Sequence, residues 1–228
     1  MKSTVIIPAG GLGTRVGTDM PKQFLELKGK PIIIHTLEAF EKAESVESVI
    51  ISVSKDWYAH TKDLVKEHRL TKVKEIVYAG ERRQDSVYNA LVSDSAKDAE
   101  IVLVHDAVRP FVSPELINSI IEEVEETGAA IPVLTPGDTV KERTSKNYIL
   151  KTFNRINLCL AQTPQGFWYD ILLSAYNNAR DSAYEGTDSA SLVEFLGYKI
   201  AAVQGDDMNI KITTPFDLKV GEMILNEK

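Results

Sequence analysis

Five short apolar runs recur along the chain, and the segments between them are long enough to form helices. Because the runs are rich in β-branched residues, they are interpreted as buried strands. Strands separated by helix-length segments predict an α/β fold with a doubly wound, mostly parallel sheet. The whole chain, residues 1–228, is expected to form one domain. The predicted strands are Val5–Ile7, Val49–Val53, Glu75–Tyr78, Ile101–Val104 and Ala129–Val133.

Two helices and one irregular segment complete the expected organisation. Ser113 and Pro114 have the residue types of a helix start, and Gly128 is typical of a helix end. A last helix is expected after Thr214, with an apolar face formed by Leu218, Met223 and Leu225. Residues 136–158 are polar and carry a hairpin pattern around Ser145-Lys146-Asn147, which predicts a protruding β-arm.

Charge and composition exclude several classes of function. The net charge of −7 argues against a general nucleic-acid binder, which needs a basic face. No apolar run approaches the length that spans a bilayer and no secretory signal is recognisable, so a cytoplasmic protein without membrane partners is expected. Cys159 is the single cysteine, which excludes an internal disulfide; its leucine neighbours favour a packing role.

The loop after the first predicted strand, Pro8-Ala9-Gly10-Gly11-Leu12-Gly13-Thr14-Arg15-Val16-Gly17, is rich in glycine. Glycines there let backbone N–H groups approach phosphate oxygens, and Arg15 with the nearby Lys22 adds positive charge. The spacing fits neither the dinucleotide fingerprint nor the P-loop. The loop therefore predicts a nucleotide site of another kind.

Charged residues also follow the third and fourth predicted strands, at the sheet edge where ligands bind in open α/β folds. Gly80-Glu81-Arg82-Arg83-Gln84-Asp85-Ser86 follows the third strand and His105-Asp106-Ala107-Val108-Arg109-Pro110 follows the fourth. Asp106 is a candidate ligand of Mg²⁺, with a loop salt bridge to Arg109 as the alternative. His105 is interpreted as a hydrogen-bonded packing residue.

Two more cations are candidates for an anion site. Lys211 precedes the last predicted helix, where the alternative is a solvated lysine on an edge strand. Arg155 lies towards the end of the polar arm, where the alternative is an ordinary surface arginine. The recurrence of cations at loop ends favours the binding interpretation for both.

Five motifs together resemble the 2-C-methyl-D-erythritol 4-phosphate cytidylyltransferases, nearly from end to end. They are Pro8 to Arg15, Pro21-Lys22-Gln23, Val104 to Pro110, Ala161-Gln162-Thr163-Pro164-Gln165-Gly166-Phe167 and Asn209-Ile210-Lys211-Ile212-Thr213. The resemblance implies a Rossmann-like nucleotidyltransferase fold, CTP as substrate, Mg²⁺ as cofactor and a homodimer that exchanges β-arms. The family often has Ala-Ala-Gly where Ala9-Gly10-Gly11 stands here, and Ala at Val108.

The resemblance also implies roles for individual residues. Arg15 and Lys22 would be catalytic and neutralise the triphosphate, and Asp106 would serve both the metal and the ribose. The sugar phosphate would meet residues of one subunit and two residues of the partner's arm. The implied nucleotide-binding residues are Pro8, Ala9, Gly10, Gly11, Gly13, Gly80, Arg83, Ser86 and Asp106; the implied acceptor-binding residues are Arg109, Thr163 and Lys211, with Thr139 and Arg155 from the partner.

The implied reaction joins CTP to 2-C-methyl-D-erythritol 4-phosphate with release of pyrophosphate. Two alternatives remain open from the sequence. Ribitol-5-phosphate cytidylyltransferases share the glycine loop, the Pro-Lys-Gln and the Asn-Ile-Lys-Ile-Thr, although residues 80–87 and 161–167 look more like the methylerythritol group. A nucleotide sensor without catalysis could also use this fold, because fold does not fix function.

Overall fold

A twisted eight-stranded sheet forms the centre of the computed structural model, which describes residues 1–11 and 20–227. The strands are β1 (Ser3–Ala9), β2 (Glu26–Leu27), β3 (Lys30–Pro31), β4 (Ser48–Val53), β5 (Val73–Tyr78), β6 (Ile101–Val104), β7 (Ala129–Leu134), β8 (Lys141–Arg143), β9 (Ile149–Thr152), β10 (Leu160–Ala161), β11 (Gln165–Trp168) and β12 (Ala201–Gln204). The helices are α1 (Ile32–Lys42), α2 (Tyr58–Glu67), α3 (Arg83–Leu91), α4 (Pro114–Thr127), α5 (Tyr169–Asp181), α6 (Ser189–Phe195) and α7 (Pro215–Glu227).

The predicted mostly parallel sheet is confirmed. β1 pairs parallel with β4 and with β6, and β4 pairs parallel with β5. The sequence pattern did not reveal β11, which lies antiparallel between β6 and β7. β12 extends the sheet by pairing parallel with β7. All five predicted strands lie within strands of this sheet.

Helices cover both faces of the sheet, as the doubly wound prediction requires. Val5 and Ile7 of β1 are buried with α1 and α4 on one face, whereas Ile6 is buried with α3, α5 and α6 on the other. Successive side chains of a strand point to opposite faces, so a strand buried on both sides has to be apolar throughout. None of the helices in the described part of the chain is long and apolar enough to span a membrane.

The signals at the ends of α4 act as predicted. The Ser113 hydroxyl accepts a hydrogen bond from the Leu116 N–H at 3.2 Å, which satisfies one of the free donors at the helix start. Gly128 ends the helix with a φ of 84°, a conformation that favours glycine. For α7 the predicted apolar face was wrong at Met223, whose side chain is exposed; Ile224 is buried instead.

Within residues 136–158, for which an arm is predicted, β8 and β9 make an antiparallel hairpin apart from the main sheet. Its apolar side chains Tyr148, Ile149, Leu150 and Ile156 are exposed in the single chain. The packing role expected for Cys159 was wrong, because this cysteine is exposed. It lies in the segment that joins the arm to the short strand β10, away from the core that its leucine neighbours suggested.

Candidate functional site

A pocket of about 240 Å³ opens at the carboxyl ends of β1, β5 and β6. The loops after these strands meet there, as expected for an open α/β sheet. The predicted residues that line it are Pro8, Ala9, Gly10, Gly11, Lys22, Gly80, Arg83, Ser86, Asp106 and Lys211. Gln23, Glu81, Arg82, Ala107 and Val108 also line it and were not predicted. Gly13 and Arg15 lie outside the described residues.

The loops after β1 and β5 approach each other through glycine. A Cβ atom added at Gly10 would lie 2.3 Å from the Ala79 Cβ and 3.4 Å from the Ser86 Oγ. The Ser86 hydroxyl accepts a hydrogen bond from the Gly80 N–H at 3.1 Å and donates to the Arg82 carbonyl at 2.9 Å. Ser86 is buried and its contacts fix the start of α3 beside the glycine loop. One wall of the pocket is therefore built by close backbone approach.

Gln23 ties the turn that carries Lys22 to the start of the glycine loop. Its side-chain amide donates to the carbonyl of Ala9 at 2.6 Å and to that of Gly11 at 3.2 Å. The Gln23 side chain is buried, and a buried amide that meets backbone carbonyls holds its neighbours in one geometry. Lys22, half-buried and directly before it, is thereby placed at the pocket wall.

Asp106 is the electrostatic centre of the site, because cations from three loops surround its buried carboxylate. Lys211 Nζ lies 2.7 Å from Oδ2, Arg109 Nε lies 3.6 Å from the same oxygen, and Arg83 Nη2 lies 3.2 Å from Oδ1. Burial alone raises the pKa of this carboxyl, but the charges of Arg83, Lys211 and Arg109 outweigh it and hold the pKa well below its usual range. Asp106 is therefore ionised at neutral pH.

The contacts of Asp106 bear on the alternatives left open by the sequence, a loop salt bridge for Asp106 and a solvated lysine for Lys211. Arg109 does pair with Asp106, as the salt-bridge alternative required, yet Asp106 also pairs with Arg83 and Lys211, which line the pocket with it. Lys211 is not a solvated lysine on an edge strand, since its ammonium group contacts Asp106. Its side chain remains 39% exposed, so a ligand can reach it.

A hydrogen-bond chain behind the pocket fixes the backbone of Asp106. The Asp106 N–H donates to the Thr163 hydroxyl oxygen, and the Thr163 hydroxyl donates to His105 Nδ1, each at 3.1 Å. His105 Nε2 donates to the Arg109 carbonyl at 3.1 Å, since a carbonyl oxygen can only accept. Burial lowers the pKa of His105 to about 4 and keeps the ring neutral. His105 thus has the predicted packing role.

Arg109 and Thr163 lie beneath the pocket surface and do not line it. Both are buried, and Arg109 Nη1 donates to the Asn209 carbonyl at 2.7 Å. The Asn209 side chain in turn donates to the Thr163 carbonyl at 2.8 Å. These contacts join the loop after β6, the connection between β10 and β11, and the segment before α7 into one support.

Thr139 and Arg155 are not brought to this pocket within the single chain. Both are exposed on the arm, where Arg155 Nη1 donates to the Gly137 carbonyl at 2.7 Å. Their predicted contact with an acceptor would require a second subunit. Within one chain the arm and the pocket are separate features.

The donor set around Asp106 suits a hard cation that also binds phosphate oxygens. In the described ranges no three His, Cys, Asp or Glu side chains converge as a metal cage. Mg²⁺ is commonly held by one or two carboxylates together with substrate phosphates, and an ionised carboxylate beside three cations still has a lone pair to offer, since its two oxygens accept at about four positions. Asp106 therefore fits a metal that arrives with a triphosphate.

Comparisons with known proteins agree over the length of the chain. The family described as "IspD: 2-C-methyl-D-erythritol 4-phosphate cytidylyltransferase" matches residues 3–227. A Bacillus cereus protein named 2-C-methyl-D-erythritol 4-phosphate cytidylyltransferase is 40% identical over 223 residues, which is 98% of this chain and 97% of the relative. A Clostridium perfringens protein of the same name is 40% identical over 221 residues, covering 97% of each chain.

Solved structures give the same result for the fold. The crystal structure of a 4-diphosphocytidyl-2C-methyl-D-erythritol synthase from Anaerococcus prevotii superposes with a TM-score of 0.85 at 29% identity, covering 99% of this chain and 98% of that one. The 2-C-methyl-D-erythritol 4-phosphate cytidylyltransferase of Thermus thermophilus superposes with a TM-score of 0.81 at 33% identity, covering 99% and 100%. The Rossmann-like nucleotidyltransferase fold expected from the sequence is confirmed.

Proposed function

Because the chain belongs to the 2-C-methyl-D-erythritol 4-phosphate cytidylyltransferase family, we propose that it joins CTP to 2-C-methyl-D-erythritol 4-phosphate. The products are 4-diphosphocytidyl-2-C-methyl-D-erythritol and pyrophosphate, a step in the formation of isoprenoid precursors. The observation that carries the proposal is the cluster of Lys22, Arg83 and Lys211 at one pocket with Asp106, in a chain whose net charge is −7. We further propose that the reaction takes place in the cytoplasm.

The reaction needs alignment and charge neutralisation more than proton transfer. A phosphate oxygen of the sugar attacks the α-phosphorus of CTP in line, a new P–O bond forms, and the bond to the β-phosphate oxygen breaks as pyrophosphate leaves. The attacking oxygen is already anionic, so no strong general base is required. Lys22, together with Arg15, stabilises the charge that grows on the phosphates in the transition state.

The nucleotide would lie between the glycine loop and the start of α3. The backbone from Pro8 to Gly11, which lines the pocket, would face the phosphates, and Gly80, Arg83 and Ser86 would contact the cytidine. Asp106, held ionised by its cations, would hold Mg²⁺ and meet the ribose. When bound, Mg²⁺ neutralises phosphate charge and helps to orient the reacting groups. Its lowered pKa keeps Asp106 ionised, as the contacts with Mg²⁺ and the ribose would need.

We further propose a homodimer in which the arm completes the partner's acceptor site. Lys211 reaches the pocket from its own subunit, with Arg109 and Thr163 behind it, whereas Thr139 and Arg155 would come from the partner's arm. Exposed apolar side chains on the arm support this arrangement, because Tyr148, Ile149 and Ile156 have no cover within the single chain.

Pyrophosphate release from CTP tests the activity, with each of the two candidate sugar phosphates as acceptor. We expect turnover with 2-C-methyl-D-erythritol 4-phosphate and little with ribitol 5-phosphate, which the names of the relatives do not favour. Preference for ribitol 5-phosphate would replace the proposed acceptor. CTP binding without pyrophosphate release in the presence of either acceptor would leave the sensor alternative.

A further inference from the structure

Gln162 is a buried amide between β10 and β11 that contacts a distant loop. Its Nε2 donates to the Asp206 carbonyl at 2.9 Å, and its Oε1 accepts from the Asp206 N–H at 3.1 Å. The side chain thus pairs with one residue's backbone as a neighbouring strand would. Gln162 is 6% exposed, so its amide is buried, and losing the amide leaves the Asp206 N–H without this partner.

Asp206 begins the turn that leads to Lys211. The Asn209 N–H donates to the Asp206 carbonyl at 3.0 Å, which closes the turn, and the Ile212 N–H donates to the Val108 carbonyl at 2.9 Å. Lys211 lies between these two anchors and reaches Asp106 at 2.7 Å. The path of the backbone on either side of Lys211 is therefore fixed by two hydrogen bonds, one that closes the turn at Asp206 and one to Val108 at the pocket.

Gly205 shows how closely this loop approaches Gln162. A Cβ atom added at Gly205 would lie 2.7 Å from Gln162 Oε1 and 3.0 Å from the Val133 carbonyl oxygen. The residue before Asp206 thus has no room for a side chain while the amide stays in place. A side chain at Gly205 would displace the amide without removing it, and would also press on the backbone of Val133.

We infer that Gln162 is a positioning residue that sets the placement of Lys211, and through it the affinity for the acceptor's phosphate. The inference rests on the proposed function, in which Lys211 binds the sugar phosphate. Gln162 lies outside the group of residues that line the pocket, so it acts through the loop and not by touching substrate. Its loss should weaken the acceptor and leave CTP nearly unaffected.

Gln165 provides a matched control, because it is another buried glutamine three residues along the chain. Its amide donates to Asp188 Oδ2 at 2.7 Å and accepts from the Ala190 N–H at 3.1 Å, so it anchors α6 and not the Lys211 loop. Gln162→Leu and Gln165→Leu remove similar buried hydrogen bonds. A general loss of stability should affect both variants alike.

The test compares steady-state kinetics of the two variants and of Gly205→Ala. Gln162→Leu and Gly205→Ala should raise the acceptor KM about five- to twentyfold, with the CTP KM within twofold of wild type; Gln165→Leu should leave both KM values near wild type. In the Lys211→Ala background, Gln162→Leu should add nothing further. Equal effects of Gln162→Leu and Gln165→Leu, or additive effects with Lys211→Ala, would overturn the inference.

Crystal structures of the variants separate this inference from the proposed activity. Gln162→Leu should lose the contact between Lys211 Nζ and Asp106 Oδ2, and Gln165→Leu should keep it. That result can be obtained whatever the acceptor is, so failure of wild-type turnover would refute the proposed function alone. A Gln162→Leu structure in which Lys211 stays on Asp106 would refute the positioning role alone.

Discussion

Asp106 shows how a single buried carboxylate can organise a site for anions. Its charge draws Arg83 and Lys211 to one point, where they would otherwise repel each other. A polyphosphate entering the pocket would compete with the carboxylate for the same cations, and their side chains are already ordered by it. The site therefore has little side-chain freedom left to lose when ligand binds.

Among the residues that the structure describes, Lys22 has the clearest expected effect on the chemical step. If it stabilises charge at the α-phosphate, Lys22→Ala should lower kcat by about a hundredfold or more. Lys66→Ala, which removes an exposed lysine of α2, serves as the control. A Lys22→Ala enzyme with near-native kcat and only a raised KM for CTP would contradict this role.

His105 should make the free energy of unfolding depend on pH in the mildly acidic range. Burial lowers its pKa from 6.5 to about 4, so below pH 6.5 the unfolded chain binds a proton that the folded chain does not. The free energy of unfolding should therefore fall as the pH drops from 6.5 to 4, by up to about 3 kcal/mol. Urea unfolding across this range measures the fall.

Nuclear magnetic resonance of the His105 ring gives the control for that prediction. Its ring protons should not titrate between pH 5 and 8, because the neutral form accepts from Thr163 and donates to Arg109. A midpoint near 6.5 would show that burial does not suppress the charged form.

Sequence reasoning found most of the pocket residues and also named Arg109 and Thr163, which lie beneath the pocket. Asp106 could be predicted because charged residues that follow strands imply binding, and Lys22 and Lys211 because cations recur in the loops. The convergence of cations on the Asp106 carboxylate could not be predicted, since it depends on how distant loops are packed. Gln23 and Gln162 were missed as supports because a buried amide has no sequence signal that distinguishes it from an exposed one.

At the scale of elements, the apolar runs predicted the central strands, and the limits of that prediction have a physical cause. β11 is four residues long and begins with polar Gln165, so it lacks the apolar pattern of its neighbours. It forms a strand because it lies between β6 and β7 and pairs with both of them. The prediction for Met223 was wrong for a related reason. The orientation of α7 buries Gly221 and Ile224 and leaves Met223 exposed to solvent.

The close approach of the loops after β1 and β5 predicts an effect of adding one methyl group. Gly10→Ala would place a Cβ atom 2.3 Å from the Ala79 Cβ, so the two loops must separate and the KM for CTP should rise about tenfold or more. Gly137→Ala is the control, because Gly137 does not line the pocket and, among the residues that the structure describes, nothing lies within 4 Å of the added atom.

A second substitution checks that the contact with Ala79 is the cause. Ala79→Gly in the Gly10→Ala background should recover most of the CTP affinity, since it removes the other methyl group. If the double variant is as weak as Gly10→Ala alone, the loss has another origin, such as the neighbouring Ser86.

At the scale of the whole molecule, the arm predicts the oligomeric state. Its apolar side chains are exposed in the single chain, and we expect a second copy of the chain to cover them. Light scattering should give the mass of a dimer, twice 25.3 kDa. A monomer that is fully active at the same concentration would contradict both the dimer and the shared site.

Complementation tests whether each site draws residues from both chains. Arg155→Ala and Lys211→Ala should each raise the acceptor KM about ten- to a hundredfold, because a charge-assisted contact to phosphate is lost. Mixing the two variants should restore one intact site in each heterodimer, and activity should return. If subunits exchange and the mixture stays as weak as its parents, these residues do not meet across the interface.

Cys159 makes the exchange of subunits directly observable. It is the single thiol of the chain, and it is exposed beside the base of the arm. A maleimide dye can therefore be attached at one defined position without any substitution. Two populations carrying donor and acceptor dyes would show energy transfer as their chains recombine. The wild-type sequence thus already contains the attachment site for the optical reporter that the mixing experiment needs.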